Sequence, residues 1–278
     1  MADVKPIVKW VGGKSRLLPT LRPMMPSDVS DYVEAFAGGL AVLFALEPKV
    51  AWINDNNSEL VNLYEVVRDS PDELIQALEA HKQEDSKSHF YEVRGLDRDV
   101  SAFAGLSAVE RAARFVYLNK TAYNGLWRVN RHGQMNAPYG RYKRPAIVNE
   151  RGIRAVSAFF ADRSVTFTTG DFTVTLDNVR PGSFVYLDPP YDPISETAAY
   201  TGYTPCGFGR VDQERLRAYC DEITSRGASF MLSNSDTPFI NELYDGYRIE
   251  KVKAPRAISC KGDGRKAVTE VVVMNYAK

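Results

Sequence analysis

The sequence predicts an α/β protein with a largely parallel sheet, interrupted by one helical insert that ends in a hairpin. Three observations carry this expectation. Short runs of strand-forming residues recur along the chain, separated by amphipathic stretches long enough for a helix, the alternation that builds a parallel sheet. Those runs vanish between about Asn57 and Pro145 and then resume. The 278 residues suffice for one large domain or two modest ones.

The expected strands are "DYVEAF" (31–36), "KVAWIND" (49–55), "VTFTTGD" (165–171), "SFVYLD" (183–188), "ASFMLSN" (228–234), "YRIEKVK" (247–253) and "TEVVVMNY" (269–276). Two helices flank them. "NNSELVNLYEVVRDSP" (56–71) starts on Asn/Ser caps and stops at a proline, and "VDQERLRAYCDEITSRG" (211–227) stops at a glycine. Inside the insert "SAVERAARFVYLNKTAY" (107–123) has helical spacing. It then breaks into "NGLWRVNRHGQMNAPYGRYKRP", whose Asn-Gly, His-Gly and Pro-Tyr-Gly turns suggest a protruding hairpin. The chain thus reads as an α/β domain in two pieces, 1–56 and 146–278, around an insert at 57–145.

Composition is ordinary for a globular protein, with 44% hydrophobic and 25% charged residues. No stretch approaches 18 apolar residues, so no membrane span is expected, and the N-terminus lacks the apolar core of a secretion signal. Cys206, Cys220 and Cys260 match no metal-ligand spacing and suit a reducing cytoplasm. His81, His89 and His132 have no spacing suited to metal or triad chemistry, so no metal is expected. The net charge of zero hides a split. Residues 55–99 carry twelve acids against five bases, a balance of −7, whereas 114–144 carry seven bases and no acid, +7. An acid-free basic segment reads either as soluble surface or as a surface for a polyanion.

Four short stretches carry chemistry. In "VKWVGGKSRL" (8–17), Gly12-Gly13 permits a tight turn or a close ligand, and Lys14 follows at a helix start; the spacing is not that of a Walker loop. In "YVEAFAGGLAVLFAL" (32–46), a strand runs through Glu34 and Phe36 into Gly38-Gly39 and an apolar helix, the first β-turn-α of a doubly wound sheet, without G-x-G-x-x-G. Asp55 ends the next strand, placed either for a ribose hydroxyl pair or for a helix cap. In "SFVYLDPPYDP" (183–193), a strand ends abruptly at Asp188, Pro189, Pro190 and Tyr191. Proline cannot extend a sheet ladder, so the corner is rigid. It is either a plain turn or a device in which a carboxylate and a carbonyl accept both hydrogens of an exocyclic amine while Tyr191 stacks on the heterocycle. Held so, an aromatic amine is prepared to attack an electrophile.

These stretches, in this order, resemble the DNA adenine-N6 methyltransferases of the Dam type over nearly the whole chain. "KWVGGK" (9–14), "EAFAGG" (34–39), "NDNNSEL" (54–60), "GDF" (170–172) and "DPPY" (188–191) match cofactor and catalytic motifs. "YNGLWRVNRHGQMNAPYGRYKRP" (123–145) resembles the DNA-recognition hairpin, and "RAISCKGDGRK" (256–266) the region near the C-terminus. Ala35 stands where the family often has proline. The resemblance implies a Rossmann-like S-adenosylmethionine-dependent methyltransferase sheet with an inserted helical DNA-recognition domain. It assigns the S-adenosylmethionine site to Trp10, Gly12, Lys14, Glu34, Phe36, Gly38, Asp55, Asp171, Phe172 and Asp188.

The same resemblance implies double-stranded DNA as the partner, with no membrane and no obligatory protein partner, and a cytoplasmic location. Asp188 and the Pro189 carbonyl would accept the N6 hydrogens of a base turned out of the duplex, with Pro190 and Tyr191 completing the catalytic motif. The family's readers of GATC correspond by motif to Lys9, Leu126, Arg128 and Pro138, with Asn124, Asn130 and Tyr142 close to the DNA. Arginine pairs with guanine O6 and N7, and apolar side chains sense a thymine methyl; the alternative is that Arg128 touches only phosphate. Lys120, Arg141, Lys143 and Arg144 suit phosphates. Asp188 and the hairpin favour adenine in DNA over cytosine N4 or RNA. The intact "DPPY" disfavours a regulator without catalysis, and the missing glycine fingerprint disfavours a nucleotide-dependent oxidoreductase.

Overall fold

The computed structural model describes residues 4–194, 207–254 and 268–277. The 256–266 motif, Cys206 and Cys260 lie outside the described residues. In chain order the first elements are α1 (Leu18–Leu21), β1 (Asp31–Glu34), α2 (Ala41–Leu46) and β2 (Val50–Asp55). The helices α3 (Ser58–Asp69), α4 (Pro71–Gln83), α5 (Lys87–Gly95), α6 (Val100–Ala104), α7 (Ala108–Thr121) and α8 (Glu150–Ala161) follow. Then come β3 (Ser164–Thr169), β4 (Phe184–Leu187), α9 (Arg210–Ser225), β5 (Ser229–Ser235), α10 (Pro238–Leu243), β6 (Arg248–Ala254) and β7 (Val268–Met274). All seven expected strands form.

Two compact units divide the chain. The first holds the residues up to Val11 and Asp55–Gly170; the second holds Gly12–Asn54 and the described residues from Asp171 onward. Residues 146–170 group with the helices because α8 packs on α3 and α4, and β3 packs on α3.

In the second unit the strands run β2-β1-β4-β5-β7-β6. β1 pairs in parallel with β2 and β4, and β4 in parallel with β5, while β7 is antiparallel to both β5 and β6. The chain leaves β1 first to one side and later to the other, so the order reverses between β1 and β4. That makes a topological switch point, where the carboxyl ends of two neighbouring strands open a crevice. Glu34 lies opposite Tyr186 there, one residue short of the Asp188 corner's own strand end. All four residues of β4 are buried, as the central position of a two-faced sheet requires. Val33, Val185, Leu187, Phe230, Leu232 and Val271 pack against Leu216, Tyr219 and Ile223 of α9.

The first unit is mainly helical. The Asn57 side chain caps α3 by accepting from the amides of Glu59 and Leu60. Ser107 and Glu110 form a reciprocal capping box on α7. Pro71 does double duty: it ends α3, as expected, and opens α4 at its first position, where a missing N–H costs nothing. The hairpin forms from two antiparallel bridges, Ala122 with Tyr139 and Val129 with Met135. Asn130 builds its tip, its Oδ1 accepting the amides of His132 (2.9 Å) and Gln134 (3.1 Å). No described helix is long and apolar enough to cross a membrane.

Candidate active site

In the second unit the polypeptide leaves β4 through Asp188-Pro189-Pro190-Tyr191. Lys14 Nζ donates to both Asp188 oxygens at 2.6 Å and to the Gly12 carbonyl at 2.8 Å. Gly12 reaches that position with φ +78°, a conformation only glycine adopts without strain. The ammonium also lies 5.0 Å from the centre of the Tyr191 ring. Lys14 is buried, and Asp188 keeps 20% of its side-chain surface. Burial raises the Asp188 carboxyl above its ordinary value, and Lys14 opposes that rise. The Tyr191 hydroxyl donates to Glu270 Oε2 at 3.0 Å. Burial, then the Asp188 and Glu270 charges, push the Tyr191 phenol far up, so it stays a neutral ring. Burial likewise raises Glu270, with Lys14 pulling the other way.

Buried polar groups hold this corner from behind. Gln213 on α9 donates from Nε2 to the Pro190 carbonyl at 2.9 Å, and its Oε1 accepts from Asn234 Nδ2 at 3.0 Å. Asn234 Oδ1 accepts the amides of Asp192 and Ser235, at 3.1 and 2.9 Å. Asp192, 4% exposed, is fixed further by the Ser235 hydroxyl on its carbonyl (2.7 Å) and the Thr237 hydroxyl on its carboxylate (2.8 Å). Sequence reasoning named none of Gln213, Asn234, Asp192 or Glu270. The available signal was the polar run Ser233-Asn234-Ser235 closing an otherwise apolar strand beside β4.

The turn after β1 is tied to the β2 tip. The Ala37 amide donates to the Asn54 carbonyl at 2.8 Å, and the buried Asn54 side chain donates to the Ala35 carbonyl at 3.2 Å. Gly38 has φ +46°, and Leu40, although not glycine, holds φ +58° just before α2. A non-glycine residue in that region marks a turn over-determined by its surroundings. Glu34 is 3% exposed and accepts from the Tyr32 hydroxyl at 2.8 Å. Phe36 stacks on Phe172 with centroids 5.6 Å apart. Beside them Asp171 caps a short helix through Thr173 and accepts from Arg215 at 3.0 Å. Burial works to raise its pKa, but the Thr173 hydrogen bonds and the Arg215 guanidinium hold it below the usual carboxylate range.

In the first unit, Asp55 Oδ1 accepts the Asn57 amide at 2.9 Å. Asn57 Nδ2 is buried without a hydrogen-bond partner among the described residues. An orphaned donor beside a carboxylate fits a hydroxyl-bearing ligand. Trp10 stacks on Phe115 at 6.4 Å, and Phe115 stacks on the buried Trp127 at 3.9 Å, so Trp127 anchors the hairpin.

Asn119, fully buried, joins the N-terminal motif to the hairpin base. Its side chain pairs with both the amide and the carbonyl of Lys9, at 2.9 and 2.8 Å, and donates to the Gly125 carbonyl at 3.1 Å. Lys9 reaches over the Tyr142 ring at 5.4 Å. Arg128 braces the opposite hairpin arm, donating to Asn136 Oδ1 at 2.6 Å. Lys120 donates to the Ile7 carbonyl at 2.5 Å, and burial, aided by the Lys9 charge, lowers it to about 8. Asn124, Pro138, Arg141, Lys143 and Arg144 are exposed, and Leu126 is half-buried.

The second hairpin arm is pinned from α5 and the turn after it. Asp97 accepts the Met135 amide at 2.8 Å and pairs with the buried Arg114 at 2.8 Å. Arg94 donates to the Ala137 carbonyl at 3.1 Å.

Comparison with known proteins gives one consistent result. The family described as D12 class N6 adenine-specific DNA methyltransferase matches residues 10–258. A type II methyltransferase of Lactococcus lactis subsp. cremoris is 43% identical over 274 residues, covering 99% of this chain and 96% of the relative. Another, of Methanocaldococcus jannaschii, is 40% identical, covering 99% and 100%. A DNA adenine methylase of Vibrio cholerae is 31% identical, covering 99% and 97%.

Proposed function

From the premise that this chain belongs to the D12 class of N6 adenine-specific DNA methyltransferases, we propose that it methylates adenine within GATC after turning the target base out of the duplex. Membership itself makes the chain an enzyme that acts on adenine N6 of DNA, with S-adenosylmethionine as methyl donor. When bound, that molecule supplies an electrophilic methyl group. The observation that carries the reading is the Lys14–Asp188 pair at the end of β4. A carboxylate offers about four acceptor sites, and Lys14 leaves some of them available for an amine. Of the two proline carbonyls, that of Pro190 is bonded to Gln213, which leaves that of Pro189 for the amine. Asp188 and Pro189 then take the two N6 hydrogens, and the neutral Tyr191 ring stacks on the base. This is orientation and electrostatics rather than strong-base chemistry.

Phe36, Gly38, Asp171 and Phe172 are the residues of the second unit assigned to the methyl donor, with Gly12, Lys14 and Glu34 beside them. Trp10 and Asp55 are those of the first, where the side-chain Asn57 Nδ2, buried without a partner among the described residues, supports a role for Asp55 toward ribose hydroxyls. The insert at 57–145 is the target-recognition domain. Lys9, Asn124, Leu126, Arg128, Pro138 and Tyr142 read the site, Asn130 shapes the hairpin tip, and Arg141, Lys143 and Arg144 grip phosphate, whereas Lys120, expected to join them, is held on the Ile7 carbonyl. Arg128 fits guanine, and Leu126 and Pro138 fit a thymine methyl. Base turning is required because N6 is paired and stacked inside the duplex.

The test is mass analysis of nucleosides from a GATC duplex incubated with protein and S-adenosylmethionine, beside a GATC-free duplex. N6-methyladenine only in the first is expected. Equal methylation of both would remove the GATC assignment, and an active Asp188→Ala protein would remove the role given to the corner.

A further inference from the structure

Behind the corner lie two buried amides to which the reading above gives no part in the reaction. Gln213 on α9 is 1% exposed and Asn234 on β5 is fully buried. Burying amides is costly unless their donors and acceptors are paired, and an apolar pair of the same shape would avoid the cost. Here the bonds form a directed chain. The amides of Asp192 and Ser235 donate to Asn234, Asn234 donates to Gln213, and Gln213 donates to the Pro190 carbonyl. The two proline rings fix φ at 189 and 190, so the corner's remaining freedom lies in ψ. Tethering the Pro190 carbonyl removes ψ at 190 and so sets the peptide plane that leads into Tyr191.

We propose that Gln213, oriented by Asn234, is a positioning residue for the methyl transfer: it holds the Pro190–Tyr191 peptide so that Asp188, the Pro189 carbonyl and the Tyr191 ring face the target amine together. The proposal rests on the reading of the corner as an amine grip. A misplacement of the order of 1 Å costs about a hundredfold in rate, so the effect belongs in kcat rather than in binding.

Gln213→Glu tests this. The ionised side chain has no donor for the Pro190 carbonyl. Once protonated, its O–H donates there while the other oxygen accepts from Asn234, restoring the native pattern. Burial raises such a carboxyl, so the restoring form gains as pH falls. The ionisable groups around the chain are Asp192, with Thr237 and Arg210 on it, Asp188, with Lys14 on it, and Tyr191 and Glu270. All are present in the wild type, so the ratio of variant to wild-type kcat at each pH cancels their titration.

At pH 8 the Glu variant is expected to lose kcat by about 30-fold, with S-adenosylmethionine and duplex affinities within about threefold, and the ratio should recover severalfold by pH 6. Gln213→Leu keeps the shape without a donor; its ratio should be low and flat, and it carries the test if the Glu variant does not fold. Wild-type kcat in either folded variant overturns the inference. So does a deficit of the Glu variant that ignores pH, or one matched by equal loss of cofactor affinity. An inactive wild type would instead overturn the reading of the corner itself.

Discussion

At the scale of single residues, the site turns on Lys14. Its ammonium touches both oxygens of Asp188 from a nearly water-free position, 6% exposed. Lys14→Met keeps the stem and removes the charge, which leaves a mostly buried carboxylate unpaired. Breaking such a pair costs roughly 3 kcal/mol, the low end of the usual range, because Asp188 retains some solvent. The pH dependence has a definite sign. Burial already raises Asp188 above its ordinary value of 3.8, and losing Lys14 removes the cause that opposes the rise. A raised acid contributes stability that is complete below the unfolded value and is lost as pH rises through the folded one. The deficit of Lys14→Met against wild type should therefore be smallest near pH 4 and widen toward neutrality. Thermal melts at pH 4.5 and 7.5 check this; equal deficits at the two would reject the assignment. If Asp188 grips the amine as proposed, the acid limb of the variant's kcat should also move to higher pH, since the ionised carboxylate is the stronger acceptor and offers no competing O–H.

At the scale of elements, the hairpin depends on backbone contact at its base. A Cβ built on Gly140 would lie 2.8 Å from the Ala122 oxygen and 2.9 Å from its carbonyl carbon, and backbone cannot swing aside as a side chain can. Gly140→Ala should open the Ala122–Tyr139 bridge and weaken duplex binding by tenfold or more, about 1.4 kcal/mol, while S-adenosylmethionine binding changes little. Titrations of both ligands decide it, and unchanged duplex affinity would mean that the hairpin base does not matter to DNA. Packing of α4 and α5 on α7 makes a second element-scale prediction. His81 stacks on Tyr117 at 4.9 Å and shares a hydrogen bond with His89 at 2.9 Å. Burial, then the His89 charge, lowers His81 to about 4, against an opposing pull from Glu84. A lowered base stabilises the fold fully above its unfolded value of 6.5, and that stability is lost as pH falls toward 4. His81→Phe keeps the stack, so its melting temperature should fall less than wild type's between pH 7 and 4.5; parallel falls would count against a buried neutral His81. These elements differ in how legible they were. Every strand could be read from its β-branched and aromatic run, and most of those runs stop near Gly, Pro or Asp. The division of 71–104 into α4, α5 and α6 could not, because short helices joined by tight turns leave too few apolar repeats to set their ends.

At the scale of the whole molecule, sequence charge and usable charge part company. The stretch from 114 to 144 carries +7, and in the sequence every cation there counts alike. The fold spends three of them internally: Arg114 is buried against Asp97, Lys120 donates to Ile7, and Arg128 braces Asn136. The same blindness hid Asn119, Gln213, Asn234 and Glu270. A polar residue in a helix or strand reads as solvent-facing until tertiary packing shows that it is buried and which group it meets. By contrast Lys14, Asp188 and Tyr191 were legible, because glycine and proline fix the backbone around them and so leave a mark in the sequence. Four cations of the segment, Arg131, Arg141, Lys143 and Arg144, are exposed. Each phosphate neutralised contributes about −0.9 to the slope of log K against log salt, so four give a slope of about −4 and seven would give about −6. Binding to a GATC-free duplex across 50–300 mM salt measures this directly, since non-specific affinity is almost wholly electrostatic. A slope near −4 that shrinks by about one unit in Lys143→Gln supports the exposed set. A slope near −6 would mean that Arg114, Lys120 and Arg128 leave their internal partners when DNA binds.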